Sequence, residues 1–150
     1  MSKEINVKLR LINIKQEKVL LMYNSEEDYY FYMGGTLEFG ETIEQGAKRE
    51  VREECGEDVI FELEKVLYIR DYVAPIEDTH NVELFILGNI NKFEELEGKE
   101  DPEFKGRDRL TWKNIDSLPA NVYPTTLSQK LAEDYRNGFP NQGEYLGNIT

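Results

Sequence analysis

Cysteine is almost absent from this chain. Cys55 is the only one, so no intramolecular disulfide can form and nothing argues for an oxidising compartment. Histidine is as scarce, with His80 alone. No apolar run approaches the length of a membrane span, and the charged start Met1-Ser2-Lys3-Glu4 lacks the apolar core of a signal peptide. Cytoplasm is therefore the expected location, with no membrane partner. Basic residues are outnumbered, 18 against 30 acidic ones, giving a formal charge of -12. Such a surface repels a nucleic-acid backbone unless a local basic patch intervenes, so no nucleic-acid partner is expected. A small polyanion would be repelled as well unless a cation mediates its binding.

What is present fits one domain spanning residues 1–150. Ile5 to Ile14 alternates apolar and polar, with Ile5, Val7, Leu9 and Leu11 on one face of a strand. Lys15 to Glu17 reads as a turn, Val19 to Tyr23 as a second strand, and the aromatic run Tyr29 to Met33 as a third, broken by Gly34-Gly35. Thr42 is placed to cap a helix with Gln45 as its capping-box partner, the helix running to about Cys55 and stopping at Gly56. Val59 to Val73 holds one long strand or two, and Val82 to Ile90 another. Asn91 to Asp108 reads as an acidic loop, Arg109 to Trp112 as a short strand, Ile115 to Leu118 as a helical turn and Thr125 to Tyr135 as a last helix. The polar segment 138–150 is expected to fray or to serve an interface. Strands on both sides of a central helix, with a second helix late in the chain, predict an α/β fold with a mixed sheet covered on both faces.

The central helix carries the chemical signal. At about 100° per residue, with Ile43 at zero, Ala47 and Val51 fall at about 40° and 80° and define the buried stripe. Glu54 and Glu50 fall at about 20° and -20°, on or beside that stripe, and Glu53 at about -80°. An exposed like-charge pair at i,i+4 costs only a few tenths of a kcal/mol. A buried carboxylate costs much more unless it is paired or coordinates a metal. A hard divalent cation is the simplest compensation, because Mg²⁺ takes oxygen ligands. Gly34 and Gly35 in front of the helix let backbone approach a ligand, and Arg49 can pair with Glu53 or reach back to Glu41.

These residues resemble the Nudix box: Gly, five residues, Glu, seven residues, Arg-Glu, an apolar residue, any residue, Glu-Glu, any residue, Gly, then an apolar one. Here they are Gly35, Glu41, Arg49, Glu50, Val51, Glu53, Glu54 and Gly56. The final apolar position departs, with Glu57 in its place and Val59 nearby to pack instead. Met33 stands where many members have proline. The resemblance implies the α/β/α sandwich of that family and a magnesium- or manganese-dependent pyrophosphohydrolase. Glu50, Glu53 and Glu54 would be the catalytic and metal-binding carboxylates, the Gly35 carbonyl would be a further ligand, and Glu41 and Arg49 would hold them in place. A divalent ion lowers the pKa of a water and offsets phosphate charge. A carboxylate then takes the water's proton, worth roughly 10²–10⁴-fold. Glu53 or an acid of the Glu94–Asp108 segment is the expected base.

The expected substrate is a small nucleoside diphosphate derivative: a nucleoside di- or triphosphate, a nucleotide sugar, ADP-ribose or a dinucleoside polyphosphate. Arg70 and Tyr72, on alternate positions with Tyr68, read equally as a nucleotide pocket or as a polar sheet face. Tyr32 is the member of the aromatic run expected to face substrate, and the Glu94–Asp108 segment with Tyr123-Pro124 is expected to set specificity. Many members are dimers, so a homodimer is left open. The competing functions are a non-catalytic nucleotide sensor on the same fold and an acidic interaction module. His80 reads as surface, Cys55 as helix packing, and the sequon at Asn148 as meaningless without secretion.

Overall fold

The computed structural model describes residues 3–150, so Met1 and Ser2 of the charged N-terminal segment lie outside it. Strands β1 (Asn6–Lys15) and β2 (Lys18–Asn24) form a hairpin. Gln16 and Glu17 both take positive φ, 50° and 63°, the mirror-image turn that matches strand twist. Then come β3 (Tyr29–Phe31), β4 (Gly34–Thr36) and helix α1 (Ile43–Cys55). Strands β5 (Phe61–Ala74) and β6 (Thr79–Ile90) make a second, long hairpin. The chain closes with β7 (Asp108–Asn114), β8 (Val122–Tyr123), helix α2 (Thr125–Arg136) and β9 (Glu144–Asn148).

The strands join in the order β8-β3-β2-β1-β6-β5-β9, with β4 beside β1 and β7 beside β2. Pairs β1–β6, β3–β8 and β5–β9 are parallel and the others antiparallel, so the sheet is mixed. Alternation along each strand sends side chains to opposite faces. Leu9, Leu11, Leu20 and Met22 pack with Ala47, Val51 and Cys55 of α1. Ile12, Val19 and Leu21 pack with Leu127 and Leu131 of α2. Each of these Leu, Ile, Val and Met side chains contributes about 1.5–3 kcal/mol relative to exposure. This is the expected α/β/α sandwich. None of the described helices is long and apolar enough to cross a membrane.

Several elements differ from the sequence reading. Gly34-Gly35 does not break the sheet; it forms β4, pairing with Leu9 and Arg10. Glycine carries no periodicity signal, so its ladder position is invisible in the sequence. The span from Val59 is one continuous strand, bulged between Leu63 and Lys65 and between Val66 and Tyr68, and β6 begins at Thr79 because its hairpin partner continues to Ala74. The acidic segment after Asn91 contains a helical turn, Glu94–Leu96, anchored by buried Leu96. Strand β7 is longer than expected because β2 supplies hydrogen-bonding partners from Lys18 to Asn24. In the 138–150 segment, β9 pairs with β5 and Leu146 and Ile149 pack toward the α2 cluster.

Candidate active site

Helix α1 begins as its sequence requires. The Thr42 hydroxyl accepts the Gln45 N–H at 3.1 Å, and the Gln45 side chain accepts the Thr42 N–H at 2.9 Å. This fixes the helix phase, and with it the direction of the carboxylates. Glu50 and Glu54 are buried, 6% and 9% exposed, whereas the Glu53 side chain is 56% exposed at the rim.

Arg49 organises the cluster. Nε and Nη2 donate to the two oxygens of Glu41 at 2.7 and 3.0 Å, and Nη2 also donates to the Thr36 carbonyl at 3.0 Å. Nη1 donates to Glu50 at 2.9 Å and to Glu53 at 3.3 Å. The hydrogen bonds from Arg49 pull the Glu41 carboxyl down to about 2. Both pairings anticipated for Arg49 are therefore made at once.

Glu54 has much less. Its Oε2 accepts the Gly34 N–H at 2.9 Å. Burial, then the charges of Glu50 and Asp101, hold its carboxyl well above the ordinary range. Burial also raises Glu50, against the pull of Arg49. Gly35 lies against this carboxylate so closely that a Cβ there would sit 2.6 Å from Glu50 Oε1.

Glu50, Glu53, Glu54 and Asp101 share a cavity of about 660 Å³ with Lys8, Arg10, Gly35 and Asp108. Asp108 is neutralised by the forked Arg107 at 2.9 and 3.0 Å; Asp101 accepts the Glu103 N–H and pairs with no cation among the described residues. Among the described residues the acids do not converge on one point as a closed three-ligand set. Arg49, lying between Glu50 and Glu53, draws their oxygens to itself. The donor set nonetheless suits an oxygen-seeking divalent cation. Its side-chain donors are all carboxylates, Glu50, Glu54 and Asp101 are buried, and their charge is only partly offset.

A second cavity, about 410 Å³, adjoins the first, and Arg10 and Phe31 line both. Its walls are aromatic and basic: Tyr29, Tyr32, Tyr72 and Tyr123 beside Arg70. Arg70 and Tyr72 thus reach one cavity, the guanidinium 5.0 Å from the Tyr72 ring centre. Tyr32 lies at its floor, with a buried hydroxyl 2.8 Å from Ser128 Oγ. Tyr68 does not reach it; it packs in the α2 cluster with its hydroxyl on Asp134. Tyr123-Pro124 form the outer wall. His80 lines a separate shallow groove. Cys55 packs against the Met33 sulfur at 3.7 Å, and burial pushes its thiol up to about 12, far from a reactive thiolate.

Sequence reasoning missed Arg10, Asn81 and Glu83 on the sheet, and did not single out Asp101. Arg10 did leave a signal: with Lys8 it makes a basic pair on one face of β1 in an acidic chain.

A family model described as NUDIX domain matches residues 5–135. Among solved structures, a NUDIX hydrolase from Nitrosomonas europaea aligns over 93% of both chains at 26% identity and a TM-score of 0.68. An ADP-ribose pyrophosphatase from Streptococcus suis aligns over 95% of this chain and 98% of its own, at 16% identity and TM-score 0.62. A UDP-X diphosphatase aligns over 97% of this chain and 68% of its own, at 18% identity and TM-score 0.68. No curated protein sequence matches.

Proposed function

Because the chain belongs to the NUDIX domain family, whose members act on phosphorus anhydrides, we propose that it hydrolyses the pyrophosphate bond of a nucleoside diphosphate linked to a further group, using Mg²⁺ or Mn²⁺. One observation carries this reading: an acidic cavity and an aromatic, basic cavity meet at Arg10 and Phe31. A molecule spanning that junction lays its diphosphate over Glu50, Glu53 and Glu54 and its planar base among the tyrosines. Aromatic faces stack on any base, at about 1–3 kcal/mol each, which suits a broad nucleotide preference.

When bound, the divalent ion neutralises diphosphate charge and acidifies a water. Glu50 and Glu54 would hold the ion at the buried end of the site, Glu53 from the rim, and the carbonyl of Gly35, which lines the same cavity, would be a further ligand. Arg49 and Glu41 hold Glu50 and Glu53 in position. Glu53, held by Arg49 only through long 3.3 Å contacts, and Asp101, which accepts the Glu103 N–H and pairs with no cation among the described residues, are the candidates to take a proton from the attacking water. Glu53→Gln and Asp101→Asn are expected to differ, with the true base losing roughly 10²–10⁴-fold in kcat; the variant whose kcat is unchanged is removed from the role.

The test of the whole reading is a panel of ADP-ribose, nucleotide sugars, dinucleoside polyphosphates and nucleoside triphosphates with Mg²⁺ or Mn²⁺, scored by products. Metal-dependent release of a nucleoside monophosphate or phosphate supports it. Binding without turnover on every compound overturns it in favour of a sensor.

A further inference from the structure

Arg10 stands where the two cavities meet, yet it is weakly engaged by the protein. On β1 it pairs with Gly34 of β4 on one side and Phe85 of β6 on the other, so its backbone is held between two strands. Its guanidinium makes only long contacts, 3.4 Å from Nε to Glu83 and 3.4 Å from Nη1 to the Tyr32 carbonyl. Its Nη2 has no partner among the described residues. Glu83 does not depend on it, because Arg70 Nη2 lies nearer, at 3.2 Å. The side chain is 22% exposed, while Glu83 behind it is 3% exposed.

Arg10 lines the same cavity as Glu50 and Glu54. It forms no ion pair with either. A guanidinium on a rigid strand, beside but not bonded to an acidic cluster, with donors to spare, is placed for an anion arriving between them. Guanidinium groups match phosphate oxygens with forked hydrogen bonds, and a prepositioned cation stabilises charge that grows during phosphoryl transfer.

We infer that Arg10 binds the substrate phosphate lying across the junction of the acidic and aromatic cavities and stabilises the charge developing on it. This rests on the pyrophosphohydrolase reading. It adds a residue outside the box and fixes the substrate's direction, with the diphosphate at the junction and the base beyond it.

The test uses Arg10→Gln and Arg10→Lys in the full chain. With Mg²⁺ and whichever diphosphate the wild type cleaves, Arg10→Gln should lose roughly 10²–10³-fold in kcat/KM, and Arg10→Lys should recover part of that. Affinity for inorganic pyrophosphate in the presence of Mn²⁺, measured by calorimetry, should fall in the same order. Affinity for Mn²⁺ alone should hold or tighten, since a repelling cation has left the acids, and Tm should stay within a few degrees. A kcat/KM within threefold of wild type overturns the inference. So does a loss that runs in parallel with Mn²⁺ affinity and Tm, because that is the signature of a merely structural arginine. If the wild type cleaves no diphosphate at all, the functional reading fails, and pyrophosphate affinity alone decides the role of Arg10.

Discussion

Glu54→Gln is expected to abolish divalent-metal binding and to lower kcat by roughly 10²–10⁴-fold while leaving the fold intact. The several kcal/mol that a bound cation supplies to a developing phosphoryl charge set that range. Glutamine matches glutamate in size, and its carbonyl oxygen can still accept the Gly34 N–H that Glu54 accepts at 2.9 Å. What disappears is a charge. In the metal-free protein that charge is unfavourable, because burial, then Glu50 and Asp101, hold the carboxyl well above its ordinary range. The sign follows from linkage. A carboxyl whose folded pKa exceeds its unfolded one favours folding most when protonated, so stability falls as pH rises through the unfolded value toward the folded one. Glu54→Gln removes this loss, and metal-free Tm at neutral pH should be equal or higher. Calorimetric titration with Mn²⁺, steady-state kinetics and thermal melts read the three quantities. Retained Mn²⁺ affinity with kcat within tenfold of wild type would show that Glu54 is no ligand.

Alanine at the two adjacent glycines should separate folding from chemistry. Gly34 has φ +133°, and a Cβ there would fall 1.9 Å from the Leu9 carbonyl oxygen. That oxygen belongs to the backbone of a central strand and cannot step aside. Either β4 leaves β1 or the strand shifts, and the Gly34 N–H no longer meets Glu54. The cost is about 3–5 kcal/mol, at the upper end for single substitutions, and for a domain of this size it lowers Tm by roughly 10 °C. At Gly35 the three atoms nearest the new Cβ all belong to the Glu50 carboxyl, with Oε1 at 2.6 Å and Oε2 at 3.0 Å. A side-chain end can rotate, so Gly35→Ala should cost about 1 kcal/mol of stability. The displaced carboxylate should nonetheless weaken Mn²⁺ binding and turnover by at least tenfold. Chemical denaturation and metal titration on both variants check this. Equal stability losses, or an unaffected Gly35→Ala enzyme, would break the assignment of one glycine to the fold and the other to the site.

The acidic half of the site is legible in the sequence because it is local. Helical periodicity places Glu50 and Glu54 beside Ala47 and Val51, and the reciprocal bonds of Thr42 and Gln45 lock the phase, all within one run of chain. Arg49 is legible for the same reason, since its partners Glu41, Glu50 and Glu53 lie within eight positions of it. Arg70 and Tyr72 are legible only as a face whose use is undecided. Strand alternation says which residues point the same way, not what they point at.

The helix, its caps, the direction of its carboxylates and most strands could be read along the chain, because they depend on contacts between near neighbours repeated at a fixed period. Only the assembled fold shows that Gly34-Gly35 pair with β1, that β9 edges the sheet, and that Arg10 meets Glu83 from 73 positions away and Arg70 the Ile149 carbonyl from 79. Such contacts join segments with no common periodicity. Their partners are fixed only when the parallel pairing of β1 with β6 and the hairpin of β6 with β5 bring the strands into register.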